Sequence, residues 1–396
     1  MKEKATVNKE FIRTGQRAAE VWKSTLNSEF PMAVWQLPHS SEFSMIVDLR
    51  PNLEQQEREI ESISSGFLVN KFGSLNPPKP IHIKADLSFE WGASNETENV
   101  NPTLSASELE AFESRKPKPF SSPDLSTYEV KDSYQDKVLS AIDEIKTESF
   151  QKVVLSRYED HTLPEEFDII NRLEVLAKKY PGAMKYAIYL PGVGTWMGAT
   201  PEQLIQIHDN RVFKTVSRAG TQNLPEGVDI SDIAWRQKEI EEQAMVSRYI
   251  VDCFKKIRLR EFDEKGPKTA KAGNLVHLKT EFEVDMIKTN SEHLGSTMLK
   301  LLHPTSAVGG MPLRPSLDFI HAMEGYDREF YAGFLGPVNF KDSTDLFVNL
   351  RCAQIGRDKV RFYAGAGITI DSDPQKEFEE TAMKLKTMKS VILDED

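Results

Sequence analysis

Cysteine is almost missing from this chain. Cys253 and Cys352 are its only two in 396 residues, too few for a disulfide scaffold or a thiolate zinc site, and no His/Cys spacing suits zinc. Long apolar runs are missing too. None reaches the ~18–20 residues of a membrane span, and the charged start MKEKATVNKEF lacks the apolar stretch of a signal peptide. Positive charge is in deficit: 50 Lys and Arg against 61 Asp and Glu leave a net charge of −11. That balance argues against nucleic acid or an anionic membrane as partner, and leaves room for a local basic pocket that takes a small anion. GxGxxG after a strand, GxxxxGK[ST], HExxH and GxSxG are all absent, so the common nucleotide, zinc-protease and hydrolase templates get no support. These absences predict a soluble cytoplasmic protein.

The composition that remains is 39% hydrophobic and 28% charged, which excludes global disorder, collagen and coiled coil. Short strands are predicted at 32–37, 44–49 and 66–72. Residues 93–127 are polar and rich in Ser, Asn, Glu and Pro. They predict a surface excursion that builds no core, either a linker or a long loop within one domain. Beyond it, Val138, Ile142 and Ile145 give a helix over 131–147. Further helices are predicted at 166–179, 229–257, 292–302, 315–323 and 374–389. Strands are predicted at 150–157, 184–190, 194–199, 203–208, 211–217, 275–286, 331–339, 345–355 and 360–370. Strand runs broken by helices without regular βαβ alternation indicate an α+β fold.

Two pairs of glutamates stand out. Glu239 and Glu242 are spaced i,i+3 on the long helix, and Glu377 and Glu380 repeat that spacing on the last one, so each pair shares a helix face. Brought together, they would suit Mg²⁺, which takes one or two carboxylates plus water and substrate oxygens; two solvated faces are the plain alternative. In FYAGAGITI (362–370), Gly365 and Gly367 alternate with alanine, as where a ligand approaches bare backbone, or where a strand bulges or packs tightly. In LFVNLRCAQ, alternation puts Leu346, Val348, Leu350 and Cys352 on one face and Phe347, Asn349 and Arg351 on the other. Arg351 is then a candidate clamp for a carboxylate, or a structural ion pair. Lys152 in FQKVVLSR and Glu202 in GATPEQL are a candidate base and acid, or surface charges. His303, in LLHPTSAVGGMP, falls on an exposed turn after a helix. It and His277, in VHLKTEF, fit capping or core roles as well as catalysis.

Together, FQKVVLSR, MGATPEQLI, AGT (219–221), KEIEEQ, HLKTEF, LLHPTSAVGGMP, YAGFLGPVN, LFVNLRCAQI, FYAGAGITI and SDPQKEFEETAMKLKTM resemble the chorismate-utilising enzymes, isochorismate synthases in particular. The resemblance implies two packed antiparallel sheets with helices outside, one large sandwich domain over 1–396. Residues 1–130 would be its divergent N-terminal part and 148–390 its chorismate-binding core. It implies Mg²⁺-dependent conversion of chorismate to isochorismate by a monomer, without nucleic acid or membrane. Glu242 and Glu380 match the magnesium glutamates, with Glu239 and Glu377 behind them or acting through water. Lys152 matches the general base and Glu202 the general acid. Arg351, Gly365 and Lys384 match positions that hold the substrate carboxylates. Ala219, Gly220, Thr221, Ala307, Tyr331, Leu350 and Tyr363 would line the pocket, and His303 would lie beside the ring.

The chemistry explains these residue types. Chorismate is a dianion with a hydroxyl on ring carbon 4; isochorismate carries it on carbon 2. Water must attack carbon 2 while the carbon-4 hydroxyl leaves and the double bonds shift. Water needs a base, and the departing hydroxyl needs an acid that still carries its proton. Three departures from the family pattern occur. Its frequent Glu-His is Glu242-Gln243 here, PLAGT or ALAGT becomes SRAGT with Arg218, and HPTPA becomes HPTSA with Ser306. Arg218 implies a local ion pair or a change in pocket polarity. Lys152 argues against the anthranilate synthases, and Ala219 against the aminodeoxychorismate synthases, which carry a nucleophilic lysine there. Salicylate synthases, which go on to eliminate pyruvate, and a non-catalytic chorismate-binding paralogue stay open. Menaquinone synthesis is the expected pathway, with siderophore and salicylate routes as alternatives.

Overall fold

The computed structural model describes residues 15–26, 28–50, 53–73, 79–93, 95–114, 123–129, 131–209, 211–224, 227–272 and 275–394, with the backbone alone at positions 221, 223, 272 and 275. Its larger sheet has ten strands. From one edge these are β15 (Gly310–Met311), β8 (Lys152–Thr162), β19 (Lys359–Ile368), β18 (Cys352–Ile355) and β10 (Gly194–Thr200). The order continues with β9 (Met184–Leu190), β1 (Met32–Gln36), β2 (Phe43–Val47), β6 (Leu87–Trp91) and β7 (Glu96–Val100). The second sheet has nine strands. It begins with β13 (Asp263–Ala272), β14 (Leu275–Asp285), β12 (Val212–Asn223), β11 (Gln203–His208) and β17 (Thr344–Val348). It ends with β16 (Phe334–Val338), β4 (Gly66–Asn70), β5 (Ile81–Lys84) and β3 (Glu54–Gln55). The strand pairings in both are antiparallel. The helices are α1 (Gln16–Thr25), α2 (Ala106–Glu113), α3 (Tyr134–Lys146) and α4 (Ile169–Lys179), then α5 (Gln237–Lys256), α6 (Leu294–Leu302), α7 (Leu313–Met323) and α8 (Pro374–Ile392).

Strand β1 shows how the layers form. Ala33 and Trp35 enter the core between the sheets, where the Trp35 ring meets Phe67 of β4 at 5.2 Å. Met32 and Val34 point the other way, into a second core with Trp22 of α1, Leu173 and Leu176 of α4, and Leu385 and Met388 of α8. A period of two thus buries both faces of the larger sheet, and its outer face needs helices to cover it. The expected packed antiparallel sheets with helices outside are what the chain forms. Residues before 100 enter both sheets: β1 pairs with β9, and β4 with β16.

Three expectations need correction. The polar stretch 93–127 is not coreless excursion throughout. Within it β7 pairs with β6, and α2 starts on a capping box in which Ser105 and Glu108 exchange hydrogen bonds. Phe112 of α2 is 3% exposed and meets the Phe30 ring at 5.6 Å. An edge strand and a surface helix need few apolar residues, so composition alone misjudges them; positions 115–122 lie outside the described residues. The strand predicted over 345–355 is broken in two. β17 belongs to the smaller sheet and β18 to the larger, and the chain crosses between sheets at 349–351 with Arg351 at φ 48°. Alternation therefore cannot be carried through Leu350 and Arg351. The long helix also starts later than expected, at Gln237, after a short 3₁₀ turn at Ile230–Asp232.

Candidate active site

Lys152 opens β8. Its Nζ lies 3.2 Å from Glu242 Oε1 on α5. A Cβ at Gly367 of the neighbouring β19 would sit 2.9 Å from the Lys152 Cε, so glycine there leaves room for the lysine stem. The Lys152 carbonyl accepts from Ser316 Oγ of α7 at 3.0 Å, which fixes the backbone from which the amine extends.

Glu202 sits in the turn from β10 to β11, where its carbonyl accepts from the Val348 amide at 2.9 Å. Burial of its carboxyl raises it above the usual carboxylate range, against the opposing charges of Arg218 and Lys152. A carboxyl so placed tends to keep its proton. It lines a cavity with Arg218, Ser306 and Ala307.

The AGT segment is a β-bulge. The β12–β14 register slips between Ala219 and Thr221, with Gly220 at φ 68°. A Cβ at Gly220 would lie 3.0 Å from that of Glu239, so the bulge fits closely under the start of α5. His277 Nδ1 donates to the Gly220 carbonyl at 3.2 Å. Burial holds the His277 imidazole below its usual value, helped by the charges of Arg218 and Arg351. The Thr221 side chain lies outside the described residues.

Arg351 lies where the chain changes sheets. Burial pushes its guanidinium down, and its polar neighbour is Thr387 Oγ1 at 3.5 Å. Among the described residues no carboxylate comes within 4.0 Å of it. Lys384 on α8 donates to the Gly365 carbonyl at 2.8 Å and to Glu380 Oε1 at 2.7 Å, so three of the expected positions meet at one amine. A Cβ at Gly365 would approach Leu155 O to 2.9 Å and Tyr331 Oη to 3.0 Å. Tyr331 stacks on Tyr363 (5.3 Å, 12°), and Tyr363 on Trp196 (5.3 Å, 16°).

Other expected residues fall differently. Tyr331 and Tyr363 are 4% and 2% exposed and form a platform beneath Gly365, with little open surface of their own. Leu350 packs half-buried on the inner core, and Ala307 is exposed at the cavity rim. His303 is not on an exposed turn: it is buried, its ring edge-on to Phe334 at 4.9 Å, and burial lowers it to about 4. Glu239 accepts from the Arg236 amide at 3.0 Å, which commits its carboxylate to the start of α5. Burial raises the Glu377 carboxyl, against a hydrogen bond from Ser372, and the nearby Glu380 charge adds to the rise. Among the described residues, no three His, Cys, Asp or Glu side chains form a metal-holding group.

The structure gives roles to residues for which motif reading gave none. Gln243 Nε2 donates to Ser217 Oγ at 2.8 Å and Thr280 Oγ1 at 3.0 Å; it pins α5 to β12 and β14 and so places Glu242. Glu324 and Arg328 form a buried pair under β8. Glu324 Oε1 accepts from the Ser156 amide at 2.7 Å, and Arg328 Nη2 donates to the Val154 carbonyl at 2.7 Å. Their i,i+4 spacing was a visible signal, but the same spacing marks ordinary surface pairs.

Comparison with known proteins gives the family and the fold. The family described as chorismate binding enzyme matches residues 81–393. Isochorismate synthase EntC of Escherichia coli K12 is 31% identical over 251 residues, 62% of this chain and 63% of that protein. Isochorismate synthase MenF of Bacillus subtilis 168 is 29% identical over 66% of this chain and 56% of its own length. The chain thus spans somewhat under two thirds of these relatives. In fold it is similar to the menaquinone-specific isochorismate synthase MenF from Escherichia coli, with a TM-score of 0.75 at 20% identity over 94% of this chain and 90% of that one. Anthranilate synthase component I from Streptococcus pneumoniae shares the fold at a TM-score of 0.64 and 20% identity, over 85% of this chain and 83% of that one. Because the family match runs from β5 to the end of α8 and takes in the walls described above, the chain belongs to the chorismate-binding enzyme family.

Proposed function

We propose that this protein is an isochorismate synthase, interconverting chorismate and isochorismate. One observation carries the reading: a carboxyl that burial inclines to keep its proton, Glu202, lies within electrostatic reach of the Lys152 amine. That is the acid and base the isomerisation needs. Arg351, Lys384 and the bare peptide at Gly365 hold one substrate carboxylate, and the Tyr331–Tyr363–Trp196 stack keeps Gly365 in place. Lys152 takes a proton from the water that attacks ring carbon 2. The new C–O bond pushes the ring double bonds along, and the C–O bond at carbon 4 breaks. Glu202 gives its proton to the departing hydroxyl, which leaves as water. One water enters and one leaves, and solvent returns the proton from Lys152 to Glu202.

Glu242 and Glu380 are the residues that would hold a magnesium ion. Each now pairs with one lysine, and two carboxylates with substrate oxygens are a donor set magnesium accepts. Glu239 and Glu377 would stand behind them. When bound, the ion neutralises the charge of the substrate's ring carboxylate. We place the protein in the cytoplasm as a monomer of one sandwich domain. Both cysteines are free and buried, and among the described residues no helix is long and apolar enough to cross a membrane. Menaquinone synthesis is the pathway we assign.

The test is a product assay with chorismate and Mg²⁺ against an EDTA control. Isochorismate in a mixture with chorismate, formed only with metal, is the expected result. Salicylate and pyruvate without an added lyase would move the protein to the salicylate branch. Chorismate bound but unchanged would make it a non-catalytic paralogue.

A further inference from the structure

Among the described residues, shielded arginines have acid partners, with two exceptions. Arg50 pairs with Asp48, Arg157 with Glu159, Arg172 with Asp394, Arg328 with Glu324 and Arg361 with Asp160. Arg351 and Arg218 have no carboxylate within 4.0 Å among the described residues. The charges of both reach the same His277 ring, and of the two Arg218 is the one that lines the cavity with Glu202. Arg218 is half-buried, and its hydrogen bond is a long one, 3.3 Å to the Pro201 carbonyl. A guanidinium has five N–H donors and a permanent charge, and keeping it from water without an anion is costly. Glu202 does not supply that anion: it lies beyond ion-pair distance, and its burial favours the neutral form. The cavity that Arg218 shares with Glu202 and Ala307 is walled by Val246 and Ile250, and apolar walls strengthen a charge–charge contact.

We propose that Arg218 is a substrate-binding residue, its guanidinium taking one carboxylate of the dianion while Arg351 takes the other. This rests on the chorismate reading above. It makes Arg218 a specificity determinant: a monoanionic ring compound satisfies only one of the two guanidiniums.

The experiment measures chorismate binding in a Lys152→Ala background, where turnover does not interfere, and steady-state kinetics in the otherwise unsubstituted protein. Arg218→Leu should raise the Kd and KM for chorismate about tenfold, the worth of one charge-assisted contact. Arg218→Lys should fall between, since it keeps the charge and loses the fork. Arg218→Gln, which retains a donor for the Pro201 carbonyl, reads the same loss should the leucine variant not fold. Removing the positive charge beside Glu202 should also move the alkaline limb of the kcat/KM profile to higher pH, whereas the rise in Kd in the Lys152→Ala background reads the contact with substrate itself. Exposed Arg248→Leu serves as control. Chorismate binding by Arg218→Leu and Arg218→Gln within twofold of the parent overturns the proposal and leaves the isochorismate synthase reading standing. A folded parent that neither binds nor converts chorismate overturns both.

Discussion

A few residues apart on β8, the fold treats charge in opposite ways. Beneath Val154 and Ser156, Arg328 and Glu324 are 3% and 1% exposed and paired with each other. The guanidinium donates to Glu324, to Val308 O at 2.9 Å and to Val154 O, and lies 4.2 Å from the Phe72 ring centroid. The carboxylate also accepts from Ser156 Oγ at 2.8 Å. At Lys152, by contrast, the cations are under-matched: among the described residues Lys152 and Lys384 each have one carboxylate, and Arg351 and Arg218 have none within 4.0 Å. Where charge only holds strands in place, the chain supplies both partners. On the proposed reading the missing partner is the substrate, and there the chain supplies one side of the contact.

Breaking the saturated side should cost the most stability. Glu324→Ala strands Arg328 in the core and should destabilise the protein by about 3–5 kcal/mol in denaturant titrations. Glu324→Leu combined with Arg328→Met should recover part of that loss, because removing both charges is cheaper than removing one. A single variant as stable as the parent would mean that the pair is not what fixes β8.

The open side should behave in reverse. Lys152→Ala should lower turnover by about 10²–10⁴, while its unfolding free energy stays within about 1 kcal/mol, since the ion pair to Glu242 is part-exposed. Unchanged turnover would remove Lys152 as the base. Glu202→Gln keeps the shape of the protonated acid without a proton to give; it should abolish turnover and still bind chorismate. In the parent, kcat/KM should fall as pH rises through the raised Glu202 value, and a flat alkaline limb would contradict the acid assignment.

The smallest effect concerns Glu159. Burial raises its carboxyl, but Lys389, Arg157 and His161 outweigh that and bring it down to about 2. A depressed carboxylate contributes stability above its unfolded value and loses it as pH falls through the folded one. Glu159→Gln should therefore cost on the order of 1 kcal/mol near neutrality, after screening is allowed for. The difference in Tm between parent and variant should shrink from about pH 4.3 toward about 2. A difference independent of pH would trace the loss to packing.

The family was readable in the sequence. Lys152, Glu202, Glu242, Glu380, Arg351 and Lys384, the residues proposed for the open side, sit in segments whose order and spacing mark it. The saturated side was not readable. Glu324 and Arg328 look like any solvated i,i+4 pair until β8 and Phe72 are placed over them. The alternation through LFVNLRCAQ failed because only the third dimension shows that the chain leaves one sheet for the other at Arg351. Phe112 was hidden by polar neighbours, although the Ser105…Glu108 capping box beside it is a local signal that could have marked α2. His303 was misplaced because a proline turn reads as surface, and its burial depends on Phe334 from a distant strand.

The pairing of β4 with β16 bears on how a cell makes this protein. A ribosome releases Phe67, Leu68 and Val69, all 0% exposed in the finished fold, long before it reaches the Phe334–Val338 strand that will cover them. Through most of synthesis this apolar strand has no native partner on that edge, and contacts so remote in sequence form slowly. Nascent chains stalled before residue 334 should therefore be sticky clients of holding chaperones, and overexpression should fail by aggregation of unfinished chains sooner than by unfolding of finished ones.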